Sequence, residues 1–195
     1  MKGVPGLLRA AATGELPAWA CVDARRRRHS QGVARLLGEW ADALSLPVPE
    51  GERWRAAAWL HDALRLAPPV ELLPLVGPGF RELPGGMLHG PAAAARLRAD
   101  GVTDDGLLLA IEYHTIGHPD FDELGRALYA ADFLEPGRTF DPLGRAALRA
   151  RMPAARAEVV AEIARRRIGH LLRTGRCIRP ETIAFWNALV GHAGA

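Results

Sequence analysis

At 195 residues the chain suits one domain, and its 49% apolar content is enough for a sizeable core without disulfides. Its 25 basic and 22 acidic residues leave a net charge of +3, with Lys2 the one lysine; this balance does not mark a nucleic-acid-binding surface. The two cysteines, Cys21 and Cys177, have neither CxxC spacing nor a disulfide pattern, no apolar run reaches the roughly 18 residues of a membrane span, and no signal peptide is legible, so a reducing, cytoplasmic setting is expected.

Proline and glycine punctuate a series of helical patterns. Pro17 opens a predicted helix that carries His29 and runs through Val33, Leu36, Leu37, Trp40 and Leu44, apolar positions that recur at three and four. Pro49 or Glu50 starts a second, with Trp54, Ala57, Leu60, His61 and Leu64 in its pattern. A short helix is expected over 70–76, then a Gly/Pro loop over 77–86. His89 begins a helix to Ala99, with Pro91 in the first turn, where its missing N–H costs little. Thr103 is the expected N-cap of a helix through Ile111 and His114. Further helices are expected from Phe121 to Leu134, over 143–173 as one long Ala/Arg-rich helix, and from Pro180 onward. The 151–167 stretch reads as a solvated face on a helix packed against the core. Strand patterning is nearly absent, so the predicted class is all-α, with residues 1–16 an N-terminal segment and 17–192 the domain.

Six residues carry the chemistry: His29, His61, Asp62, His89, His114 and Asp132. A single His-Asp pair carries little information. Together, however, these are nitrogen and oxygen donors suited to divalent transition metals, and each falls near a turn or helix end, where several helices can converge. Two ions sharing one carboxylate need about this many protein ligands, with positions left for water and substrate. His170 and His192 are read as structural. His118 shares the turn of His114 and is expected to line the pocket.

The same residues resemble the HD-domain phosphohydrolases, whose H…HD…D pattern is filled by His29, His61-Asp62 and Asp132. Within that group the chain resembles the YqeK-type symmetrical bis(5′-nucleosyl)-tetraphosphatases. The likeness lies in Arg26-Arg27-Arg28-His29-Ser30-Gln31-Gly32-Val33, Leu88-His89-Gly90-Pro91, Tyr113-His114-Thr115-Ile116-Gly117-His118-Pro119 and Tyr129-Ala130-Ala131-Asp132-Phe133-Leu134-Glu135-Pro136-Gly137-Arg138. His118 stands where that family usually has arginine.

The resemblance implies a single HD-domain helical fold around a buried dinuclear centre. It assigns one ion to His29, His61, Asp62 and Asp132, and the second to His89, His114 and the other oxygen of Asp62. Iron is favoured, with Mn, Co, Ni, Zn and Mg as alternatives. The implied reaction is hydrolysis of diadenosine tetraphosphate (Ap4A) to two ADP. Asp62, Arg138 and His118 would act in catalysis, and Arg26, Arg65, Thr115, His118, Arg126 and Arg138 would contact substrate. The expected partner is a dinucleoside polyphosphate, with no nucleic acid and no membrane, on a monomer or homodimer. Alternatives are an HD phosphohydrolase acting on a dNTP or nucleoside monophosphate, and a non-catalytic nucleotide-sensing HD domain.

Overall fold

A computed structural model describes residues 6–191 and is all-helical, with no strand among the described residues. The helices are α1 (Gly6–Ala12), α2 (Ala24–Ala43), α3 (Val48–Leu60), α4 (Pro69–Leu72), α5 (His89–Ala99), α6 (Asp105–Tyr113), α7 (Glu123–Leu134), α8 (Pro142–Ala150), α9 (Arg156–Arg173) and α10 (Pro180–Gly191). Two 3₁₀ turns, Pro78–Phe80 and Gly85–Met87, punctuate the loop before α5. No described helix is long and apolar enough to cross a membrane, and Cys21 and Cys177 are exposed and unbonded.

The apolar stripes read from the sequence meet in one core. α2 packs on α3 and α7, α5 on α6, α6 on α7, and α9 on both α7 and α10. Val33, Leu37, Leu60, Leu97, Leu107, Ile111, Leu124 and Ile163 are fully buried there. Leu8 and Ala11 of α1 are buried as well, with α1 lying along α3. Arg53 of α3 binds Asp104 at 2.6 Å and Asp122 at 2.9 Å, the residues that cap α6 and α7. One guanidinium thereby fixes the starts of two helices that deliver site residues.

Several boundaries differ from the sequence reading. α2 starts at Ala24 and not at Pro17, because Asp23 caps it by accepting from Arg26 N at 2.7 Å. The residues before it are committed elsewhere: Cys21 N donates to Ala63 O at 2.7 Å. The cap of α6 is Asp104, not Thr103; its carboxylate accepts from Leu107 N at 2.9 Å. α7 begins two residues after Phe121, behind Asp122, and the short helix expected over 70–76 is the single turn α4. The long helix expected over 143–173 is two, α8 and α9, separated by a turn around Pro153. Proline has no N–H for the helical ladder, and its ring collides with the preceding turn. His192 lies outside the described residues.

Candidate metal centre

Five helices or their flanking turns deliver the six donors. His29 projects from the second turn of α2, and His61 and Asp62 close α3. His89 opens α5, His114 ends α6, and Asp132 comes from the last turn of α7. All but His29 are buried as whole residues, and the His29 and Asp132 side chains are each 10% exposed.

Asp62 is the centre of the arrangement. Its Oδ2 lies 3.8 Å from His29 Nε2 and 3.5 Å from His61 Nε2, and its Oδ1 lies 3.0 Å from His89 Nε2 and 3.7 Å from His114 Nε2. Asp132 Oδ1 joins the first half, 3.1 Å from His29 Nε2 and 3.9 Å from His61 Nε2. The donor atoms of His29, His61 and Asp132 lie within 4.8 Å of one another, as do those of His61, Asp62 and His114.

All four rings are aimed from behind. His61 Nδ1 donates to Ala58 O at 2.7 Å, His89 Nδ1 to Gly86 O at 3.0 Å, and His114 Nδ1 to Ile111 O at 2.8 Å. His29 Nδ1 faces Glu135 Oε2 at 3.1 Å. A carbonyl only accepts, so in the first three the proton sits on Nδ1 and the Nε2 lone pair turns inward. This is the tautomer a metal takes, with the outer partner orienting the ring.

Two observations say that the cluster fits a cation. His61 Nε2 is buried and too far from Asp62 to hydrogen-bond, with no other hydrogen-bond partner. His89 and His114 bring two Nε2 atoms to 3.2 Å, a repulsive approach of lone pairs unless something positive lies between them. The charges of the cluster are also strongly coupled. Burial pushes the Asp62 carboxyl up, but His61 and His89 outweigh it and hold the group well below its usual range. Asp132 is likewise held well below, with Arg138, His29 and Arg167 overcoming burial. Burial, then His61 and His89, push His114 down to about 3, so it is neutral and open to a metal at ordinary pH.

The segment after α7 is bound tightly to the site. Glu135 accepts from Gly137 N at 2.7 Å while it faces His29. Arg145 of α8, fully buried, donates to the carbonyls of Phe133 (2.8 Å), Arg138 (2.7 Å) and Glu135. Gly32 makes the Glu135 contact sterically feasible: a Cβ there would sit 2.6 Å from Oε1. On the far side α10 braces the turn after α6. Thr182 Oγ1 donates to Ile116 O at 2.8 Å, and the Phe185 ring occupies the space a Cβ of Gly117 (φ +82°) would need.

The residues expected at the substrate divide. Arg26 joins the cluster through an ion pair with Asp62 Oδ2 at 2.6 Å, and Arg138 binds both the carboxylate and, at 2.6 Å, the carbonyl of Asp132. Thr115 Oγ1 is 3.2 Å from His114 Nε2. His118 packs on Tyr113, ring centroids 4.5 Å apart, and its Nδ1 accepts from Asp120 N at 3.2 Å; it shares no polar contact with the six donors. Arg65 is half-buried in the turn after Asp62. Arg126 does not join them. It sits six residues before Asp132 on α7, about 120° round the helix, and lines a cavity of about 820 Å³ with Trp40, Met152 and Trp186. Two arginines escaped the sequence reading. One is Arg145. The other is Arg167, which reaches Asp132 from α9.

Residues 26–137, more than half of the chain, match the HD domain family, and with its helical fold and inward-facing His/Asp cluster the chain belongs to it. It is similar to proteins named symmetrical bis(5′-nucleosyl)-tetraphosphatase. The one from Bacillus subtilis is 30% identical over 135 residues, 63% of this chain and 70% of that one. The one from Halalkalibacterium halodurans is 30% identical over 105 residues, so the chain spans about half of that relative's length (55%). A solved structure from Clostridium acetobutylicum, described as a "predicted HD superfamily hydrolase involved in NAD metabolism", has the same fold, with a TM-score of 0.78 at 23% identity over 95% of this chain and 96% of that one.

Proposed function

We propose that this chain is a metal-dependent phosphohydrolase that cuts Ap4A symmetrically into two ADP. The observation that carries the reading is Asp62: one oxygen faces two histidines and the other faces two more, the layout of a carboxylate shared between two cations. His29, His61, Asp62 and Asp132 would hold one ion, and His89, His114 and Asp62 the other. Histidine with carboxylate suits Fe, Mn, Co, Ni or Zn, and iron is the proposed native pair. When bound, the ions supply Lewis acidity at phosphorus and lower the pKa of the attacking water.

The chain's own residues do the rest. Water adds to an inner phosphorus, the central P–O–P bridge breaks, and each half leaves as ADP. Negative charge grows on the phosphoryl oxygens as this happens. Arg138 and Arg26, with side chains 34% and 22% exposed, are close enough to the donors to meet that charge and still open to a ligand. Thr115 Oγ1 offers a hydroxyl beside His114, and Arg65 and His118 are the further candidates for contact with the substrate. The relatives named for this reaction support the choice of substrate.

The test is chromatography of the products formed from Ap4A by iron-loaded protein under anaerobic conditions. ADP alone is expected. Equal ATP and AMP would mean asymmetric cleavage and refute the proposal. No turnover with any metal would favour a nucleotide-sensing domain.

A further inference from the structure

We propose that Arg167 is a positioning residue for the metal centre, locking the outer oxygen of Asp132 to the turn that carries His114. The inference rests on reading the six side chains as metal ligands.

Arg167 lies on the wrong face of α9 for a solvated arginine. Val160, Ile163 and Ala164 are buried, and Arg167 follows Ile163 by four and Ala164 by three, which continues their stripe. Its guanidinium spans two elements. One amino group donates to Thr115 O at 2.8 Å, in the turn after α6, and the other meets Asp132 Oδ2 at 3.2 Å, on α7. Its Cζ lies over the Tyr129 ring, 4.4 Å from the centroid, and 5.4 Å from the centroid of Phe133.

The partition of Asp132 gives these contacts their meaning. Its Oδ1 faces His29 and His61 in the donor cluster, and its Oδ2 faces Arg167. A carboxylate held by one oxygen swings about its own axis; held by both, it presents the inner oxygen in one direction. Arg138 does not do this: it meets Oδ1, the oxygen that already faces the histidines, and its side chain is the more exposed of the two, 34% against 20%. Arg167 is caged by rings and a carbonyl, so its part is to hold, not to grip substrate. Only a planar fork reaches both acceptors at once; lysine has a single point of charge.

Partners of this kind typically tune metal affinity by about 10–100-fold. Asp132 belongs to the first ion's donor set, while His114 of the second keeps its own anchor on Ile111 O, so loss of Arg167 should weaken one ion and spare the other. The experiment is a Mn²⁺ titration of the full chain, following free Mn²⁺ by electron paramagnetic resonance, with Arg167→Met, Arg167→Lys and, on the same helix, exposed Arg165→Met. Wild type and Arg165→Met should bind two ions alike. Arg167→Met should keep one near wild-type affinity and lose about 10–100-fold on the other, with Arg167→Lys in between. If the Met variant does not fold, the Lys variant decides. Two ions bound at wild-type affinity by the Arg167 variants would overturn the assignment alone. A wild type that binds no Mn²⁺ would overturn the metal-centre reading and this inference with it.

Discussion

Adding one methyl group at Gly32 tests how firmly His29 is aimed. The Cβ of Gly32→Ala would stand 2.6 Å from Glu135 Oε1, 2.9 Å from its Cγ and 3.1 Å from its Cδ. Non-bonded carbons settle at about 3.5 Å, so Glu135 must retreat by roughly 0.6 Å. It has little freedom to do so, because Oε1 accepts from Gly137 N at 2.7 Å and Oε2 faces His29 Nδ1 at 3.1 Å. A retreat of that size opens the His29 contact to roughly 3.7 Å, past hydrogen-bonding range. Overpacking costs about 1–3 kcal/mol, while alanine for glycine inside a helix returns about 1 kcal/mol. The net loss of about 0–2 kcal/mol lowers Tm by no more than roughly 8 °C in a chain of this size. Metal affinity should fall about 10–100-fold, the usual effect of losing a ligand's outer partner. A melting curve and a Mn²⁺ titration on the same sample measure both. Wild-type metal affinity with an unshifted Tm would show that Glu135 does not orient His29, and would refute the reasoning.

Asp62→Ala should abolish Ap4A turnover and lower metal content by elemental analysis, whereas His170→Ala, an exposed position on α9, should leave kinetics unchanged; full activity with both metals in the Asp62 variant would sink the shared-carboxylate assignment. Arg138→Ala should weaken Ap4A turnover much more than Mn²⁺ binding, and an equal loss of both would move Arg138 from the substrate to the metal. His114 falls to about 3 in the folded chain against about 6.5 unfolded, so the unfolded chain binds more protons in that window. Its contribution to stability is full above pH ~6.5 and is lost as pH falls toward 3; His61, held up by Asp62 and Asp132 against burial, opposes the trend. For metal-stripped protein, His114→Gln should therefore flatten the fall of Tm on acidification, and a profile parallel to wild type would contradict this.

The donors were legible because their signal is local. His29, His61, Asp62, His89, His114 and Asp132 each sit beside a helix end or inside a short motif, and the structure brings all six together. The helix interiors were legible for the same reason, as Trp40, Leu60 and Ile111 follow the helical period. Boundaries were weaker because competing caps lay one or a few residues apart, as with Thr103 and Asp104. The break at Pro153 had a signal in the sequence, a proline inside the pattern, which the run of alanine and arginine on either side masked. Arg167 also had one: its register with Ile163 and Ala164. Sequence could not say which acceptors it would meet, since Thr115 and Asp132 arrive from α6 and α7. Arg126 shows the converse. The family resemblance implied a substrate contact, but the turn of α7 sends it to the cavity lined by Trp40, Met152 and Trp186.

Three of the four rings are anchored to the carbonyl three residues earlier: His61 to Ala58, His89 to Gly86 and His114 to Ile111. A backbone carbonyl is present whatever side chain stands at that position. The aim of these histidines is therefore written into the course of the main chain and is insulated from substitution at the anchoring residues. Such a centre can pass unchanged through long sequence divergence while its rim is rewritten, so new substrates can be acquired without rebuilding the chemistry beneath them.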